Sequence, residues 1–167
     1  MSQQRQQEFI TLYKPVHDRF ERFCRARAFG DMDYRDLINE TLLIAYKKFD
    51  ELEKRGSFIS FLCGIASRIV GNHLQKRTTE RLEDAHLQCS VTHAEPDLSV
   101  DVHFLFEALA QLPDIQREAI ILFEISGFSI KEIMELQQAG ESAVKQRLKR
   151  GRERLEEILK FESSLKI

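Results

Sequence analysis

"SIKEIMELQQAGESAVKQRLKRGRERL", residues 129–155, sets a short amphipathic segment, a glycine and a strongly basic segment in a row. Ser129 with Glu132 three residues later is a capping box, the mark of a helix start. Gly140 is expected to break that helix, and a longer one to run from about Glu141. At about 100° per residue, Val144, Leu148, Gly151, Leu155 and Leu159 fall on one stripe. Ser142, Gln146, Lys149, Arg150 and Glu153 fall on the opposite arc, with Lys145 and Arg147 on the flanks. A capped short helix, a turn and a donor-rich longer helix make the plan of a helix-turn-helix, whose second helix enters the DNA major groove. Lys145, Gln146, Lys149 and Arg150 are the groove-facing candidates. Gln146 points most directly away from the apolar stripe and is the choice for base readout. Arg147 and Arg152 are nominated to grip phosphate. Ser129 and the amides beside it form a second expected phosphate site, because a helix N-terminus attracts anions.

From Lys145 to Arg154 there are six basic residues and one acid, in a chain of 167 residues whose formal net charge is −2. A basic run on a helix is often only a solvated face; here the turn and the capped helix before it favour DNA. Residues 1–80 hold 14 basic and 11 acidic residues, residues 81–103 one and five, and residues 104–167 ten and 11. The acidity gathers in the middle, so the net charge understates a local basic surface. Phosphate binding is sequence-independent and salt-sensitive. A chain meant to bind particular sites gains little from being basic all over.

The chain reads as all-α. Phe9, Leu12, Val16, Phe20 and Phe23 recur at helical spacing, with Gly30 as a stop. Asp33 caps a helix carrying Leu37, Thr41, Ile44 and Lys48. Ser57 opens another, with Phe58, Phe61, Leu62, Ile65 and Ile69 on one face. Phe58 and Phe61 are expected in the core rather than as stacking platforms. Residues 81–103, "RLEDAHLQCSVTHAEPDLSVDVH", lose the periodicity and read as an acidic linker between a domain over 1–80 and one over 104–167. After it, Phe104, Leu105, Ala108, Leu109 and Leu112 suit one helix. Pro113 begins the next, and Gly127 ends it.

With 43% hydrophobic and 31% charged residues the chain is globular, and two domains of about 70 residues would each bury a marginal core. The start, MSQQRQQEF, lacks a signal-peptide core, and no apolar run reaches the ~18 residues of a membrane span. Cys24, Cys63 and Cys89 form no CxxC pair and suit reduced thiols in a cytoplasm. No phosphate-loop, dinucleotide or zinc motif is present, and the five histidines scatter. No catalytic residue, metal or cofactor is expected.

"LPDIQREAIILFEISGFSIKEIMELQQAGESAVKQRLKRGRERL" resembles the C-terminal domain of extracytoplasmic-function (ECF) sigma factors of bacterial RNA polymerase. "YRDLINETLLIAYKKF" and "SFISFLCGIASRIVGNHLQKR" resemble the same family's N-terminal domain. The resemblance implies a dissociable subunit that brings core polymerase to promoters. Its first domain would dock on the polymerase clamp through Asp36, Leu37, Asn39 and Glu40. Lys54, Arg55, Gly56 and Ser57, with Arg68, Asn72 and Lys76, would recognise and melt the minus-ten element. Capturing an unstacked base needs backbone groups and cations at close quarters. The second domain would read the minus-thirty-five element through Ser129, Ser142, Lys145, Gln146, Arg147, Lys149, Arg150 and Arg152, and touch the polymerase flap. An anti-sigma factor is an expected partner. The chain departs from the family pattern in having no Trp, Asn39 where Gln is common, Arg68 and Asn72 where Asn and Asp are common, and a longer loop before Ser57. Its turn holds Gln138 and Ala139 where glycine and an aliphatic residue are usual, with Gly140 later. The rival reading is a stand-alone helix-turn-helix regulator with an N-terminal sensor or dimerisation domain, which would bind a palindromic operator without polymerase.

Overall fold

The computed structural model describes residues 3–83 and 98–165, and every regular element among them is helical. The chain divides into two compact units, within residues 1–91 and 92–167.

In the first unit, α1 (Gln3–Tyr13) and α2 (His17–Ala28) are separated by a 3₁₀ turn at Lys14–Val16 that contains Pro15. Gly30 ends α2 with φ +82°, a conformation open to glycine at no steric cost. Asp33 accepts the Arg35 N–H at 2.7 Å and starts α3 (Tyr34–Lys47) as its N-cap. The long α4 is Phe58–Glu83. α2, α3 and α4 pack on one another around Phe20, Phe23, Leu37, Leu62 and Val70, none of them exposed to solvent. Phe9 closes one end, its ring 5.3 Å from those of Tyr46, Phe49 and Phe58 in edge-to-face contacts. Phe58 is thus core, as expected, and Phe61 is half-buried beside it. The turn between α2 and α3 is tied to α4: His73 donates from Nε2 to the Asp31 carbonyl at 2.9 Å, and Arg77 meets the Asp31 carboxylate at 2.7 Å. Cys24 and Cys63 form no disulfide and are fully buried. Burial above all pushes the Cys24 thiol up, with Cys63 nearby adding to it, so this thiol stays protonated and inert.

The second unit begins earlier than its periodicity suggests. The hydroxyl of Ser99 accepts the Val102 N–H and caps α5 (Val100–Ala110), while α4 runs on to Glu83. Both ends of the stretch read as linker are therefore helical; residues 84–97 of it, Cys89 included, lie outside the described residues. Capping and helix propagation act locally and do not require an apolar stripe. After Pro113, α6 (Asp114–Ile120) passes into a π-helical turn at Ile121–Ile125. Through this junction Ile120, Ile121 and Leu122 are all buried in succession. Gly127, at φ +70°, ends it as expected. α7 (Ile130–Gln137) and α8 (Glu141–Leu165) follow. α8 packs mostly on α6, so closely that a Cβ on Gly151 would meet Ile120 Cγ1 at 2.9 Å.

Candidate nucleic-acid interface

The apolar stripe of α8 is buried at Val144, Leu148 and Gly151 and half-buried at Leu155 and Leu159. The opposite face, Ser142, Lys145, Gln146, Lys149 and Arg150, is exposed. Gln146, Lys149 and Arg150 have no ion pair or hydrogen bond among the described residues, so their donors are available to a ligand. Lys145 pairs with Glu141 one turn earlier, and its hydrogen bond, then its charge, holds the Glu141 carboxyl below the usual range. Both partners are exposed, and such a pair is readily exchanged for a phosphate.

The turn before α8 is not made by Gly140. Gln138 takes the left-handed conformation, φ 48° and ψ 49°, and Gly140 has no positive φ. Ala139 N–H reaches the Met134 carbonyl at 3.0 Å, and Gln138 N–H the Glu135 carbonyl at 3.4 Å. This is a Schellman closure, normally built on glycine, carried here by a residue with a side chain.

Three nominated residues have tasks inside the unit. The Glu132 carboxylate accepts both the Ser129 N–H at 2.8 Å and its hydroxyl at 2.9 Å. The capping box is present as expected, and in this structure the Glu132 carboxylate takes the anion position at the start of α7 that a phosphate would have to share. Arg147 donates from Nη1 to Gln137 Oε1 at 3.0 Å. Gln137 Nε2 donates in turn to Glu118 at 3.0 Å and to the Ile115 carbonyl at 3.2 Å. Arg152 directs Nε and Nη2 at Glu124, at 2.9 and 2.6 Å, and lies over the Phe123 ring. Both arginines face intramolecular acceptors that the helical wheel does not show. Sequence reasoning overlooked Gln137, for which the end of a short amphipathic helix offers no signal.

In the first unit Asp36, Asn39 and Glu40 are exposed on α3, whereas Leu37 is wholly buried and belongs to the core rather than to a docking surface. The helical period decides this, since position 37 shares its face with Thr41 and Ala45. Arg68, Asn72 and Lys76 stand one turn apart along the exposed side of α4. They line a groove with Glu40 and Ile44 of α3 and Lys48 just after it, so the two nominated sets meet at Glu40. Lys54, Gly56 and Ser57 are exposed at a separate 3₁₀ turn, Arg55–Ser57, which the Ser57 N–H closes onto the Lys54 carbonyl at 3.0 Å. The donor atoms of His17, Asp18 and Glu21 lie within 4.8 Å of one another. Arg25 already holds Glu21 at 2.9 Å there, which disfavours a second cation.

Residues 12–80 match the Sigma-70 region 2 family and residues 105–155 the Sigma-70, region 4 family. The ECF RNA polymerase sigma factor EcfG of Rhodopseudomonas palustris is 31% identical over 127 residues, 74% of this chain and 70% of its own. The RNA polymerase sigma factor CarQ of Myxococcus xanthus is 30% identical over 128 residues, 74% of this chain and 73% of its own. The sigma factor RpoE of Bartonella quintana, solved in complex with the anti-sigma factor NepR, superimposes with a TM-score of 0.76 at 27% identity, over 93% of this chain and 96% of that one. The helix-turn-helix with its exposed basic face, preceded by a helical unit of region 2 type, is accordingly that of an RNA polymerase sigma factor, and the chain belongs to the ECF family.

Proposed function

We propose that this sigma factor reads the minus-thirty-five promoter element with the exposed face of α8: Gln146 at the base edges, Lys145, Lys149 and Arg150 beside it, and Ser142 at the helix start. The observation that carries this reading is the division of α8 into a buried stripe and an exposed donor face whose central side chains have no internal partner. Glutamine can make two hydrogen bonds to one base, and lysine and arginine serve guanine or phosphate. Asp36, Asn39 and Glu40 dock on the polymerase clamp, while Leu37 supports their helix from inside. Lys54, Arg55, Gly56 and Ser57 act with Arg68, Asn72 and Lys76 on the minus-ten element. Residues 1–80 and 104–167 divide these tasks, with α8's unit also touching the flap.

The factor works beside core polymerase in the cytoplasm, without cofactor or metal and without catalysing a reaction of its own, a reading supported by its likeness to ECF sigma factors. The complex of the B. quintana protein with NepR supports an anti-sigma factor as a further partner. A stand-alone regulator has no observation in its favour, since both sigma regions occur in order along the chain. The test is run-off transcription by core polymerase from a library of upstream elements, with the native protein and with Gln146→Ala. The variant should lose discrimination at one position, by ~1–3 kcal/mol. Identical ranking of the library by both proteins would remove Gln146 from base readout.

A further inference from the structure

The amide of Gln137 touches three helices at once. It ends α7, accepts from Arg147 of α8, and donates to the Glu118 carboxylate and the Ile115 carbonyl of α6. Its orientation is dictated by its partners: the guanidinium requires an oxygen on one side, and the carboxylate and carbonyl require the NH₂ on the other. The link is part-buried, where a charge-assisted hydrogen bond is worth more than at the surface. The next residue, Gln138, turns the backbone in a left-handed conformation that glycine would adopt more freely. The buried Val144 and Leu148 hold α8 by its apolar side, and Gln137–Arg147 adds a directional polar contact between α7 and α8.

We propose that Gln137 is the positioning residue of this helix-turn-helix: held by Glu118 and Ile115, it grips Arg147 and so sets the rotation at which α8 presents Gln146 and its neighbours. Arg147 acts as a strut. It lies one residue from Gln146, and a rotation of α8 about its axis moves Gln146 from one base pair toward the next. The inference rests on the reading of α8 as the promoter-recognising helix, and the experiment separates the two.

Full-length protein with core polymerase is assayed on the same library of upstream elements, at several salt concentrations, with a fixed minus-ten element. Gln137→Leu and Arg147→Met should each change the ranking in the same way. Each should lose about fivefold or more of the preference at one or two base pairs, the lower range of what a base contact confers. The dependence on salt should be unchanged, and the double variant should do no further harm, because both substitutions break one link. Gln137→Glu sets two carboxylates against each other and should misrank the library; adding Glu118→Gln should return the ranking toward the native one. This pair keeps the test open if Gln137→Leu fails to fold. If Arg147→Met weakened all elements alike and flattened the salt slope by about 1, Arg147 would be a phosphate contact and the inference wrong. Native ranking, or uniform scaling, by Gln137→Leu would equally overturn it. A native protein indifferent to upstream sequence would overturn both this inference and the reading beneath it.

Discussion

Replacing Gln138 by glycine should stabilise the second unit. Gln138 sits at φ 48°, ψ 49°, where a side-chain-bearing residue is disfavoured by roughly 1–2 kcal/mol because its Cβ crowds the carbonyl. Glycine escapes that cost but loses more backbone freedom on folding, by about 0.5–1 kcal/mol. The Gln138 side chain is exposed, with no hydrogen bond among the described residues, so removing it forfeits little contact. The balance is a gain of about 0.5–1 kcal/mol, or a rise of about 2–8 °C in the melting transition of a unit this size. Calorimetry of the full chain would show the shift, and hydrogen exchange across α7 and α8 would assign it to this unit. Gly140→Ser is the control. Gly140 has no positive φ and nothing lies within 4 Å of its added Cβ, so serine, a good N-cap, should change stability by less than about 0.5 kcal/mol. A drop in melting temperature for Gln138→Gly, together with a large loss for Gly140→Ser, would mean that the chain turns at residue 140 and that this account of the turn is wrong.

Gly151→Ala gains about 1 kcal/mol of helix propensity, but its Cβ meets Ile120 Cγ1 at 2.9 Å. Overpacking at ~1–3 kcal/mol outweighs that gain, so the variant should unfold at lower denaturant; higher stability would show that α6 yields freely. The Glu141 carboxyl is depressed by Lys145. A carboxyl with a lowered folded pKa lends its support above the unfolded value, about 4.3, and loses it as pH falls through the folded value. The first turn of α8 should therefore loosen in acid, seen as faster exchange of its amides once corrected for intrinsic pH dependence, and Glu141→Gln should remove that pH dependence. Charge reversal at Asp36 and Glu40 should weaken binding to core polymerase at least tenfold, about 1.4 kcal/mol, with helical content unchanged; undiminished association in a pull-down would detach α3 from the clamp.

The sequence by itself determined that the chain is helical and which faces its main helices bury, though not that α4 and α5 extend into both ends of the stretch read as linker. The stripe of Val144, Leu148 and Gly151, the capping box at Ser129 and Glu132, and the stops at Gly30 and Gly127 depend on neighbours within a few residues, and local rules suffice for them. The family was legible for a related reason: two spaced motifs, one in each half, restrict the chain more than either does alone. Only the tertiary structure decided which polar residues are available. Arg147 and Arg152 look as free as Lys149 and Arg150 on a helical wheel, yet Gln137 and Glu124, 10 and 28 residues away in sequence, engage them. The left-handed turn likewise falls on Gln138 rather than on the nearby glycine, because the packing of α7 and α8 selects the turning point and the residue there bears the strain. A helix's period fixes where its side chains point, but what they meet there is set by elements that the period does not encode.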